Sequence, residues 1–374
     1  MDTDSAMEVD LTGGSASAEP SLPENNSPDL MREGFKYFKR RKPPPDLSNV
    51  IDFDQCEAGG LHGNVKPYQV LIPDDRTAFQ ELGLVHPQEW KAFSLESHPG
   101  MILLRNPFTA AGQRHWAGRC VRDLPGHPNK TNLDAQGLLP PGGNWWKHCL
   151  DGVDWERLKK LRWVTLGFHH DWETKLYNLC DRSPFPSDLA RLASLLAGCV
   201  GWPSYSPEAA IVNFYHSDST LAPHTDHSEW DMTAPLLSLS FGQSAVFLLG
   251  GRDRSQAPVA LYLRSGDVLV MTGPSRLSYH AVPRLMPATD ARWHDGKRKL
   301  SADCCGQPKL ARVAAAANGD VTHHRDVIRC ECESGGRGGG GGTDPVIEYL
   351  SRSRINVNVR QVFPRGLMLR PEDP

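Results

Sequence analysis

The sequence predicts a mainly β chain with flanking helices, an α+β arrangement in which short strands close into a sandwich or barrel. Two patterns carry that expectation. From Ile211 onward the apolar residues fall into brief runs, Ile211–Tyr215, Leu236–Phe241, Ala245–Leu249, Ala260–Leu263, Val268–Met271 and Ile355–Val362, separated by Gly, Pro and Asp turns. Before them, Leu189, Leu192, Leu195 and Leu196 share a helical face behind Pro186, with Ser187 as the expected cap and Gly198 near the end.

Composition sets the outer limits. With 374 residues, 39% hydrophobic and 23% charged, the chain can bury one large domain or two small ones. No run approaches the ~18 consecutive apolar residues of a membrane span, so no membrane partner is expected. Asp2, Asp4, Glu8 and Asp10 occupy the start, where a secretory signal or a presequence would be basic. Nine cysteines, an odd number, predict reduced thiols in an intracellular protein, with nucleus and cytoplasm as the expected compartments. The later basic segment keeps a mitochondrial address open. A formal charge of -3 does not announce a nucleic-acid binder, so any such surface must come from local Lys and Arg clusters.

Along the chain, residues 1–34 are rich in Ser, Glu, Asp, Pro and Gly and are expected to form a disordered tail. Phe35–Lys42 interleaves aromatic and basic residues before Pro43–Pro45; it suits a solvated basic edge, a nucleic-acid contact or a nuclear import signal. The region 35–205 reads as mixed structure, including a helix near Trp155–Leu161 with Asp154 as its cap. The β-rich core is expected over 206–370, interrupted at 284–352 by a flexible insertion that carries an Ala run and a glycine tract ending at Gly342. Within it Cys304, Cys305, His323, His324, Cys330 and Cys332 admit a zinc site, although the Cys-x-Cys spacing favours ordinary reduced thiols.

Chemistry enters with His-x-Asp. Imidazole and carboxylate suit Fe(II), and residues i and i+2 of a strand project to one side. The pair occurs three times: His169/Asp171, His224/Asp226 and His324/Asp326. The first and third read as solvated loop residues. The middle pair follows Asn213-Phe214-Tyr215 and precedes Ser265-Gly266-Asp267 and then His280, a candidate third ligand that a barrel could return to the metal.

The last strand supplies charge. In Arg354-Ile355-Asn356-Val357-Asn358-Val359-Arg360 polar and apolar residues alternate, so Arg354, Asn356, Asn358 and Arg360 share one face. Cations turned into a barrel need anions, because an unpaired buried charge is costly. A dicarboxylate fits, since arginine binds each carboxylate through two parallel hydrogen bonds.

Together, Asn-x-Tyr at 213–215, His-x-Asp at 224–226, the distal His280 and Arg-x-Asn-x-x-x-Arg at 354–360 resemble the AlkB family of Fe(II)- and 2-oxoglutarate-dependent dioxygenases. The resemblance spans residues 35–285 and 346–363. It includes Leu161–Thr165, Pro184–Leu189, Pro235–Ser244 and Arg276-Leu277, segments that look most like the first of the family's animal branches. It implies a double-stranded β-helix, or jelly roll, with 35–205 as an N-terminal extension and nucleotide-recognition lid. His224, Asp226 and His280 would bind Fe(II). Arg354 would grip the far carboxylate of 2-oxoglutarate with Tyr215 and Asn356, Asn213 would belong to the same pocket, and Arg360 would sit near the metal-proximal carboxylate. With O2, 2-oxoglutarate is converted to succinate and a base methyl group is hydroxylated, an N-methyl carbon leaving as formaldehyde.

Two departures from the family pattern bear on substrate. Asn358 stands where Thr is frequent, and Ser228, followed by Glu229, stands where a base-reading acid is often found. Phe168, His169, His170, Trp172 and Tyr177 are candidates for stacking on or hydrogen-bonding an extruded base, with Trp145 and Trp146 weaker ones. The expected partner is therefore nucleic acid, either tRNA or unpaired DNA with methylated adenine or cytosine, and no obligate protein partner is predicted. A protein hydroxylase or histone demethylase on the same core is the enzymatic alternative; a binding protein with a dead barrel is the other.

Overall fold

The computed structural model describes residues 27–57, 63–73, 77–139, 143–150, 155–289, 293, 309–314, 324–329 and 344–365. Each β-rich run becomes a strand within two residues of its expected ends: Ala209–His216, Leu236–Gly242, Ser244–Leu249, Val259–Leu263, Val268–Met271 and Ser353–Arg360. The turn glycines are needed where they stand. Gly242 (φ +81) and Gly266 (φ +86) occupy left-handed backbone, and a Cβ would lie 2.4 Å from the Ser353 carbonyl oxygen at the first and 2.0 Å from Asn106 Oδ1 at the second.

Apart from one two-stranded hairpin, the described strands form two antiparallel sheets. At the centre of the larger, ten-stranded one, Ser353–Arg360 lies between Leu236–Gly242 and Ala209–His216. Val268–Met271 and His98–Arg105 continue it on one side and Trp163–His170 on the other. The smaller sheet runs in the order Val259–Leu263, Ser244–Leu249, His280–Met286, Leu221–His224. Phe247, Leu249, Leu261 and Leu263 from the smaller sheet share a core with Leu103, Leu269, Met271 and Tyr215 from the larger, so the sheets face each other as a jelly roll. On the outer face of the larger sheet, Leu189, Leu192 and Leu196 of the helix Ser187–Cys199 join Val212, Phe214, Ile355 and Val357.

Several boundaries move from their expected places. Residues 30–34, expected in a disordered tail, open the helix Leu30–Lys39: Asp29 accepts from the Arg32 amide at 2.8 Å, and Met31 and Phe35 bury against Val246, Leu248 and Ala281. Ser187 is the first helical residue and not the cap, a position taken by Pro186. The insertion shrinks at both ends. Arg284–Met286 complete the strand His280–Met286, Trp293 is buried, and Pro345–Leu350 is a helix whose Tyr349 and Leu350 lie in the core. Inside it, Lys309–Ala314 pairs with His324–Arg329 as a hairpin, so His324 and Asp326 lie on a strand and not in a loop. Asp154, Cys304, Cys305, His323, Cys330, Cys332 and the glycine tract lie outside the described residues.

The Gly266-Asp267 turn launches the strand Val268–Met271. Asp267 is 1% exposed and accepts from Arg105 Nη1 at 2.7 Å, from the Arg264 amide at 2.7 Å and from the Asn106 amide at 3.2 Å. Removing one partner from a buried ion pair typically costs about 3–5 kcal/mol. Asp267→Ala is expected to lower the urea-unfolding free energy by that order; an unchanged midpoint and slope would show that the turn holds without its carboxylate.

Candidate active site

His224 ends one strand of the smaller sheet and His280 begins its neighbour, and the two residues are register partners. Their ring centroids lie 4.2 Å apart. His224 Nδ1 is 2.9 Å from the Ala222 carbonyl oxygen and His280 Nδ1 is 3.1 Å from that of Ser278. A carbonyl only accepts, so each Nδ1 carries the proton and each Nε2 keeps its lone pair for a metal. Burial pushes His280 down to about 4 and keeps it neutral. Asp226 completes the group: its Oδ1 is 3.9 Å from His224 Nε2 and its Oδ2 is 3.8 Å from His280 Nε2. Among the described residues this is the one cluster of three such side chains with ligand atoms within 4.8 Å of one another. Two neutral imidazoles and one carboxylate form a facial donor set suited to Fe(II).

The carboxylate is positioned by a buried network that sequence reasoning missed. Arg360 Nη2 donates to Asp226 Oδ2 at 3.0 Å, and Arg360 Nε to Glu229 Oε1 at 2.7 Å. Arg276 Nη2 reaches Glu229 Oε2 at 2.8 Å, and its Nη1 the Asp226 carbonyl oxygen at 2.7 Å. Burial opposes ionisation of Asp226. The charge of Arg360, with Arg276 behind it, holds the carboxyl well below its ordinary range. Arg360, expected beside the metal-proximal carboxylate of the cosubstrate, thus forms its ion pairs with protein carboxylates. A buried glutamate after Ser228 and an arginine before His280 were visible as letters, but no spacing joins them.

A narrow pocket opens between the sheets and is lined by Tyr215, Ser238, His280, Arg354, Asn356 and Asn358 among apolar neighbours. Arg354 is 1% exposed. Its Nη1 donates to the Gln243 and Leu263 carbonyls at 3.1 and 3.2 Å and its Nη2 to Ser240 Oγ at 2.7 Å, while its buried Nε has no partner among the described residues. Burial pushes the guanidinium down to about 10, with Tyr215 and Asp267 opposing, so it stays charged at neutral pH. A buried cation with an orphan donor facing a cavity and no carboxylate among its hydrogen-bond partners fits one end of a dicarboxylate. Asn356 is tied to Ser238 Oγ and the Leu239 carbonyl, and Asn213 pairs with it across the sheet but does not line the cavity.

Comparison with known proteins decides the family. Residues 100–360 match the 2OG-Fe(II) oxygenase superfamily. Mouse nucleic acid dioxygenase ALKBH1 is 39% identical over 353 residues, spanning 90% of this chain and 85% of that one. The tRNA demethylase abh1 of Schizosaccharomyces pombe is 38% identical over 59% of this chain and 79% of its own. The DNA N(6)-methyladenine demethylase ALKBH1A of Arabidopsis thaliana is 28% identical over 88% and 91%. The chain belongs to the AlkB family. It is an Fe(II)- and 2-oxoglutarate-dependent dioxygenase, and O2 is its oxidant.

The aromatic candidates of this AlkB dioxygenase fall into separate places in the fold. His170, Trp172 and Tyr177 form one cluster, with the His170 ring 4.7 Å from Trp172 and 5.4 Å from Tyr177. His170 Nε2 meets Ser228 Oγ at 3.0 Å, and burial, then Arg360, pushes the imidazole down to about 4. His169 does not join them. Alternation along Trp163–His170 turns it to the opposite side, where it is buried against Thr165 Oγ1 at 2.8 Å, so it stands apart from that cluster and is not the solvated loop residue expected of its His-x-Asp pair. Phe168 packs edge-on against Phe363, and Trp145 and Trp146 are core residues.

Proposed function

We propose that this AlkB dioxygenase removes methyl groups from bases of nucleic acid, in tRNA or unpaired DNA. One observation carries the reading. His170 Nδ1, Trp172 Nε1 and Tyr177 Oη are buried without hydrogen-bond partners among the described residues and belong to one aromatic cluster beside Arg360 and Asp226. Buried polar atoms left open at a site ask for a guest with its own polar edge, and a nucleobase offers that edge on a flat ring. The names of the relatives point the same way: nucleic acid dioxygenase, tRNA demethylase and DNA N(6)-methyladenine demethylase.

In this reading His224, Asp226 and His280 hold Fe(II). Arg354 receives the distal carboxylate of 2-oxoglutarate, with Tyr215 and Asn356 beside it. Iron, 2-oxoglutarate and O2 supply the oxidation of a methyl carbon. The protein contributes placement: Arg360 keeps Asp226 ionised and aimed, the cluster of His170, Trp172 and Tyr177 holds the flipped base, and the apolar walls around the cavity exclude water. Ser228 gives His170 a neutral hydroxyl partner where an acid is frequent in the family.

Mass spectrometry of nucleosides from methylated RNA and DNA pools, incubated with the enzyme, Fe(II) and 2-oxoglutarate, tests the proposal. Loss of a methylated nucleoside with matching formaldehyde is expected; turnover of methylated peptides and of no nucleoside would overturn it. Extrusion costs a few kcal/mol from a paired duplex and less elsewhere. One methylated base should therefore react faster in a stem-loop, a bulge or a single strand than in perfect duplex at matched ionic strength. A duplex that reacts fastest would refute the extrusion argument.

A further inference from the structure

Trp230 is 59% exposed, more than any other large apolar side chain described. A lone exposed hydrophobic residue needs no explanation, but Trp230 differs from one in three ways. Its backbone is pinned, because the amides of Trp230 and Asp231 both donate to the Val362 carbonyl, at 2.8 and 3.0 Å, and Asp231 accepts from Gln361 Nε2. It directly follows Glu229, the residue that holds Arg360 beside Asp226. Its ring also begins a continuous stripe. Phe363 lies 5.8 Å away, Phe168 meets Phe363 at 5.0 Å, and the Arg182 guanidinium lies over Phe168 at 5.6 Å.

Phe363 and Phe168 are buried, and they share a cluster with Tyr177, so the exposed indole stands on a fixed footing that continues to the base-facing lid. At the other end Arg182, the register partner of Phe168, is exposed and has no carboxylate partner among the described residues. A rigid π face at one end and an open cation at the other match a base and a phosphate of one single strand.

We propose that Trp230 stacks on the unpaired nucleotide next to the target base while Arg182 contacts a phosphate of the same strand, making the stripe a specificity determinant for single-stranded substrate. The inference rests on the nucleic-acid reading above. The test compares the wild type with Trp230→Ala, Trp230→Phe, Arg182→Gln and Leu71→Ala, the last an exposed apolar residue in another part of the chain. Each is given one methylated base in a short single-stranded oligonucleotide and as a single nucleotide, at matched salt.

Trp230→Ala is expected to raise KM for the oligonucleotide roughly 5- to 150-fold, the range for loss of a base–aromatic stack, with kcat little changed. The single nucleotide has no neighbour to stack, so its KM should stay at the wild-type value. Trp230→Phe should retain most of the affinity. Arg182→Gln should reduce the slope of log K against log salt by about 0.7, one phosphate contact on a single strand. Leu71→Ala should match the wild type. Equal KM for wild type and Trp230→Ala overturns the proposal, as does an equal rise for oligonucleotide and single nucleotide. A wild type that oxidises methylated peptide and neither nucleic-acid form would instead overturn the parent reading, and this inference with it.

Discussion

Asp226→Ala is expected to abolish turnover while leaving the fold intact. Asp226 is the only carboxylate in the donor cluster, and without it two neutral imidazoles must hold a divalent ion whose affinity depends on charge. Loss of a mere supporting partner at a metal site costs about 10–100-fold, so loss of the ligand itself should exceed that range. The barrel should survive, because Arg360 keeps Glu229 as a partner and Arg276 bonds the Asp226 backbone, which the substitution preserves. Succinate formation and an Fe(II) titration, with circular dichroism alongside, check the expectation. Wild-type succinate production by a folded Asp226→Ala protein at stoichiometric iron would remove Asp226 from the metal site.

Arg354→Ala is expected to raise the 2-oxoglutarate requirement with little change in iron affinity. The guanidinium is buried, charged at neutral pH and, among the described residues, without a carboxylate hydrogen-bond partner. A charge-assisted hydrogen bond contributes about 1.5–3 kcal/mol, which corresponds to roughly 10- to 150-fold in apparent affinity. Arg354→Lys should fall between, keeping the charge but losing the planar fork. An unchanged KM for 2-oxoglutarate in the alanine variant would mean that the dicarboxylate binds elsewhere.

How far the sequence could be read depended on the range over which each signal acts. The last strand was legible because period-two alternation writes both faces into adjacent letters: Ile355, Val357 and Val359 enter one core while Arg354, Asn356 and Asn358 line the cavity. His224 stood out among three His-x-Asp pairs through the ordered motifs around it, since the pair alone carries no such discrimination. The Glu229 network was illegible, because its partners Arg276 and Arg360 are 47 and 131 residues away and only the folded chain brings them together. Pro345–Leu350 was absorbed into the insertion because six residues are too few for helical periodicity to emerge beside a glycine tract. The two adjacent histidines at 169 and 170 were paired as candidates although a strand sends neighbours to opposite sides.

Ser353–Arg360 also sets a length standard. Arg354 lines the cavity and Arg360 holds Asp226, and six residues of strand separate their backbones by roughly 20 Å at 3.2–3.4 Å per residue. Both guanidiniums are therefore graduations on a single ruler, clamped between Ala209–His216 and Leu236–Gly242 on its two sides. A slip of one residue would not shift the scale slightly; it would turn both marks to the back and bring Ile355 and Gln361, or in the other direction Ser353 and Val359, into their places. Loops around the barrel can drift in length, but this strand admits no insertion or deletion, since the same eight residues space the charges and face them inward.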